Sequence, residues 1–113
     1  MNQSEFFMPE LVQPPKGGRA DLTIQERFEL FHSLNPFVYK RLVSMARKLR
    51  GSGRRKAGIG MLVELLRWNY YMSTTDANSE FKLCNDYRSR YARLIMEQES
   101  DLEGFFNTRR LES

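Results

Sequence analysis

Cysteine and histidine are nearly absent from this chain, which carries one of each, Cys84 and His32. A single cysteine excludes an intrachain disulfide. One cysteine with one histidine also cannot close a structural zinc site, which takes four protein ligands. Long apolar runs are missing as well. The longest mostly apolar stretch, Ile59 to Met72, is interrupted by Glu64, Arg67 and Asn69 and is too short to span a bilayer. No basic stretch followed by an apolar one opens the chain, so no secretory signal and no membrane partner are expected, and the composition suits a reducing cytosol. Gly51, Gly53, Gly58 and Gly60 do not follow the spacing of a phosphate-cradling loop. No nucleophile is paired with a base. His32 stands alone beside Phe31, and Glu97, Glu99, Asp101 and Glu103 read as a solvated turn. The expectation is therefore a protein that is not an enzyme and has no cofactor or metal.

What the chain does have is length for one domain with a small core, at 113 residues and 41% hydrophobic content. Its net charge of +4 and pI near 9.5 favour polyanions over acidic partners. Residues 1–22 read as a flexible N-terminal arm, because Pro9, Pro14, Pro15, Gly17 and Gly18 break any regular element. Phe6, Phe7 and Met8 are the apolar exception there, able to fold back or to dock elsewhere.

Residues 23–113 read as a helical domain. Thr23-Ile-Gln-Glu26 is a capping box, followed by Ile24, Phe28, Phe31 and Leu34 at helical spacing. Asn35-Pro36 predicts the N-cap and first residue of a second helix that runs to about Arg50. Its apolar stripe is Val38, Leu42, Met45, Ala46 and Leu49. A third helix, about Ile59 to Met72, carries two stripes. Ile59, Leu62, Val63, Leu66 and Tyr70 form one, and Met61, Leu65, Trp68 and Met72 the other, which predicts a central helix buried on both sides. A fourth helix spans about Asn85 to Gln98, with Tyr87, Tyr91, Leu94 and Ile95 facing inward. Phe105–Leu111 has strand-like content and could pair with Phe81–Leu83. The fold class predicted is mainly α: a compact four-helix domain, helix-turn-helix or winged-helix-like, with a minor two-stranded piece.

Between Lys40 and Lys56 there are eight lysines and arginines and no acid. A solvated face usually mixes signs, since like charges repel, so such a run suits a polyanion. Lys40, Arg47, Lys48 and Arg50 on the second helix, with Arg54, Arg55 and Lys56 in the loop after Gly51-Ser52-Gly53, are candidate phosphate contacts. The alternative is a basic solvated helix. On the fourth helix Asn85, Ser89, Arg90 and Arg93 are candidates to read base edges, because asparagine and arginine make bidentate contacts to adenine and guanine. The alternative is an ordinary amphipathic helix, on which Asp86 suits the dipole. Arg88, nearer the tyrosine stripe, is expected to pack or pair. Arg109 and Arg110 could add backbone contacts. Cys84 reads as a small buried side chain, and His32 as a core or surface residue.

Four blocks carry a resemblance: Asn35-Pro-Phe-Val-Tyr39, Gly58-Ile-Gly-Met-Leu-Val-Glu-Leu-Leu-Arg-Trp68, Phe81-Lys-Leu-Cys-Asn-Asp-Tyr-Arg-Ser-Arg-Tyr-Ala-Arg-Leu94, and Phe105-Phe-Asn-Thr-Arg109. Across residues 23–111 the chain resembles a group of small proteins encoded by tailed phages and prophages. Members often carry asparagine where Cys84 and Asp86 stand, and an aspartate at 86 weakens a base-reading role there. The resemblance implies a phage or prophage origin and action in the cytoplasm of a bacterial host. A winged-helix DNA-binding label for it is analogy at the level of fold. The leading expectation is non-catalytic DNA binding. The alternative is a protein-binding effector that modulates a host or phage complex, through anti-defence or polymerase-modulating action, or a virion or packaging accessory.

Overall fold

The computed structural model describes residues 8–13, 22–74 and 76–107. Thr23 opens α1 (Ile24–Leu34) with both halves of the expected box. Its hydroxyl accepts from the Glu26 N–H at 3.1 Å, and the Glu26 carboxylate accepts from the Thr23 N–H at 3.0 Å. The carboxylate also accepts from the Thr23 hydroxyl at 3.0 Å, and the backbone and hydroxyl bonds that it accepts hold the Glu26 carboxyl below its usual range. The chain continues through α2 (Pro36–Gly51), α3 (Ile59–Ser73), α4 (Asn85–Gln98) and a single 3₁₀ turn at Ser100–Leu102. The mainly α, four-helix domain predicted from caps and stripes is the one observed.

The core draws on every helix. Phe28 and Phe31 come from α1, and Val38, Leu42 and Ala46 from α2. Leu62, Val63, Leu66 and Tyr70 come from α3, and Tyr87, Tyr91, Ala92 and Ile95 from α4. Each large side chain taken fully out of water contributes roughly 1.5–3 kcal/mol. Phe28 meets Tyr91 edge to face with ring centroids 4.7 Å apart, the arrangement that aromatic quadrupoles favour.

The central helix is not the one expected. α4 packs against α1, α2, α3 and the 3₁₀ turn, whereas α3 packs mainly on α2 and α4. The Ile59, Leu62, Val63, Leu66 and Tyr70 stripe of α3 is buried, with Tyr70 against Phe81 beyond the helix end. No described element covers the second stripe, and Met61, Leu65, Trp68 and Met72 face solvent, with Trp68 60% exposed. The expected pairing of Phe81–Leu83 with Phe105–Leu111 is also replaced. Phe106 makes an isolated parallel bridge to Ala57 instead. The Ala57 N–H donates to the Phe105 carbonyl at 3.0 Å, and the Asn107 N–H to the Ala57 carbonyl at 3.3 Å. Phe81 and Leu83 are needed in the core, where both are buried in an irregular segment.

Part of the expected arm is docked on the domain. Met8 is buried and Leu11 packs on the core, while Phe6 and Phe7 lie outside the described residues. The fastening comes from Asn35, which occupies the N-cap position of α2 but makes no side-chain cap bond. Its amide turns toward residue 12. Oδ1 accepts from the Val12 N–H at 2.7 Å, and Nδ2 donates to the carbonyls of Val12 at 2.8 Å and Phe31 at 3.0 Å. The side chain thus pairs with a backbone peptide as a neighbouring strand would. Gln13 adds a bond from Nε2 to the Lys82 carbonyl, and the Leu11 N–H donates to the buried Tyr70 hydroxyl.

His32 lies half-buried, stacked on Phe28 and edge-on to Tyr39 and Tyr91. Burial pushes its pKa below the ordinary imidazole value of 6.5. The unfolded chain therefore takes up a proton that the folded chain resists. Stability should be full above ~6.5 and fall as pH drops below it, down to the depressed folded value. Urea midpoints measured from about pH 8 to about pH 5.5 should show that decline, and His32→Phe should flatten it. An unchanged slope in the variant would remove His32 as the cause.

Candidate nucleic-acid interface

The C-terminal half of α2 and the loop after it form the cationic surface. Lys48 and Arg50 stand in the last turn of α2, where the partial negative charge of the free carbonyls favours them. Gly53 adopts φ 104°, a left-handed conformation that glycine reaches without a Cβ clash, and this reverses the chain after the helix. The Arg54 N–H then returns to the Leu49 carbonyl at 3.3 Å, and Ala57 is bonded on both sides to Phe105 and Asn107. The loop carrying Arg54, Arg55 and Lys56 is thus tied at both ends, not the flexible follower of a phosphate chain that its glycines suggest.

Lys40, Lys48, Arg50, Arg54, Arg55 and Lys56 are all exposed. Arg47, Arg67, Lys82 and Arg88, by contrast, form ion pairs. Arg47 is therefore placed differently from the rest of the predicted phosphate contacts. It reaches Glu99 at 2.7 Å and Asp101 at 3.0 Å and so ties α2 to the 3₁₀ turn. The guanidinium holds the Asp101 carboxyl below its usual range, and the two carboxylates raise the Arg47 pKa in return. Burial, with the hydrogen bond from its hydroxyl to Glu99 at 2.7 Å, pushes the Tyr39 phenol upward.

α4 presents a mixed picture. Asn85, at its first turn, is exposed, while Ser89, Arg90 and Arg93 are half-buried. Arg90 donates from Nε to the Gln25 side chain at 3.1 Å and from a terminal nitrogen to the Asp86 carbonyl at 3.2 Å. Arg93 is engaged by a neighbouring group. Arg88 pairs with Glu64 at 2.8 Å, in line with its position near the tyrosines. The residues predicted to read bases are thus separated. Asn85 is open to a ligand, and Arg90 is held by α1 and by α4 itself. Arg109 and Arg110 lie outside the described residues. Cys84 is exposed, not buried, because it sits at the N-cap position of α4 with its Sγ directed toward Asp86 at 3.7 Å.

Two features of this surface escape sequence reasoning. The acids that neutralise Arg47 follow α4 and lie more than fifty positions away from it in the chain. An apolar groove of about 650 Å³ also runs beside Lys48, between α2 and α3. Among the described residues, no cluster of histidine, cysteine and carboxylates could hold a metal, and no helix is long and apolar enough to cross a membrane. No protein-family model, curated protein or solved structure matches this chain.

Proposed function

We propose that this protein is a non-catalytic DNA-binding module that grips backbone phosphates with Lys40, Lys48, Arg50, Arg54, Arg55 and Lys56. One observation carries the reading: these side chains stand along α2 and its following loop, are exposed, and form no ion pair among the described residues. Like charges gathered in one stretch of chain repel one another less when a polyanion lies on them. The grip is sequence-independent, since phosphates look alike and Arg90 is already bonded within the fold. Asn85 remains the one exposed candidate on α4 for a base or sugar contact. The phage or prophage setting rests on the resemblance of residues 23–111 alone.

A gel-shift titration across salt concentrations tests this reading. Affinity should fall steeply with salt, because each neutralised phosphate releases counterions. Replacing Arg54, Arg55 and Lys56 together by alanine should flatten the log–log slope by up to about 3 if each residue meets one phosphate. Specific and random duplexes should lose affinity equally. No shift at low salt, or an unchanged slope in the triple variant, would overturn the reading.

A further inference from the structure

The second stripe of α3 is a surface in search of a cover. Met61, Leu65, Trp68 and Met72 recur at helical spacing along one side of the helix and are 55%, 47%, 60% and 68% exposed. Single exposed apolar residues are ordinary, but an aligned run that includes a tryptophan marks an interaction site. The stripe borders the groove between α2 and α3. Met45 and Leu49 line it from α2, and Met61, Leu62 and Leu65 from α3. Two near-neighbour helices leave a furrow shaped for a third, and methionines on both walls let it adapt to the ridge of an incoming helix.

Charge selects the occupant. Lys48 stands exposed on the rim, Ser44, Ser52 and Asn69 supply neutral polar groups, and among the described residues no carboxylate lines the groove. A second copy of the chain would bring its own Lys48 against this one, with no acid among the described residues of either groove to offset the pair. DNA would leave the apolar walls wet. We infer that the α2–α3 groove receives an acidic amphipathic helix of a partner protein. Apolar side chains at i, i+3 or i+4, and i+7 would lie on Met45, Leu49, Met61 and Leu65, with flanking carboxylates toward Lys48. This site goes beyond the phosphate grip and depends on a different set of side chains, with Lys48 alone common to both.

Trp68, the one tryptophan in the chain, provides the readout. The full protein is titrated with a synthetic helix carrying leucines on one face and glutamates on its flanks, and with a matched peptide carrying lysines in place of the glutamates. The acidic peptide should blue-shift Trp68 emission saturably, and the basic one should not. Leu65→Glu and Lys48→Glu should each weaken the acidic peptide at least tenfold. The triple alanine variant at 54–56 should bind it as the native protein does. Leu65 is half-exposed, so the variant should keep its native helical circular dichroism and its DNA salt slope. Loss of DNA binding in the triple variant with peptide binding intact separates the two sites. No saturable shift at millimolar peptide, equal binding of both peptides, or a native dimer that Leu65→Glu converts to monomer would overturn the inference.

Discussion

Leu66→Ala should cost ~2–5 kcal/mol in unfolding free energy, the range for deleting a fully buried leucine and leaving a cavity. Leu65→Ala, one position earlier on α3, should cost under about 1 kcal/mol. Leu66 is 0% exposed, while Leu65 is 47% exposed. Two adjacent leucines of the same helix are thereby assigned to opposite environments. Denaturant midpoints compared at equal slope read the difference directly. Equal losses at the two positions would mean that α3 is covered on both faces in solution. That result would contradict the exposed stripe on which the groove depends.

Asn35→Ala should be the second severe lesion, at ~2–4 kcal/mol, since it removes three hydrogen bonds from a buried site and takes the Asn35 partner from both the N–H and the carbonyl of Val12. The effect should not be uniform. Hydrogen exchange at the Val12 amide should accelerate more than exchange in α3, because residues 8–13 lose their anchor while the helices keep theirs. Asn35→Asp sharpens the test. It keeps an acceptor for the Val12 N–H, but it sets a carboxylate oxygen against the Val12 and Phe31 carbonyls. Aspartate is as good an N-cap as asparagine, so a cap role would tolerate this change and the clamp role would not. A native-like midpoint for Asn35→Asp would sink the clamp.

The caps and the first apolar stripe of each helix were legible because they are local. Thr23 and Glu26 lie one helical turn apart, and the stripe of α2 repeats at fixed angle around the helix. Asn35 shows where that legibility stops. The residue type and its proline neighbour announce a cap, yet the backbone takes φ −131° and ψ 61°, and the amide serves a segment some twenty positions upstream. The covering of α3 was illegible for a related reason. Helical spacing reports that Met61, Leu65, Trp68 and Met72 share a face, but only the number and placement of neighbours decides whether that face is wet. The cationic run could be read as a run, and its exposed members followed from their loop and helix-end positions. Which arginine would be claimed by an acid could not be read, since Arg47 and Asp101 meet only after the chain has turned twice more. The Ala57–Phe106 bridge is a pair without a period, so no pattern announced it.

That bridge changes where disorder is lost. A cationic loop that hangs free would surrender its backbone entropy when its ligand arrives, and the contact would be weakened by that amount. Here the residues on either side of Arg54, Arg55 and Lys56 are already bonded, by the Leu49 carbonyl before them and by Phe105 and Asn107 after them. The loop's freedom is given up during folding, and only the side chains remain to settle. On the proposed reading, the three charges would meet a ligand as a preset array whose spacing selects the phosphates they reach together. Because the chain after α4 holds one end of that array, a change near Phe106, far from any cation in the sequence, would alter the spacing without touching the charge.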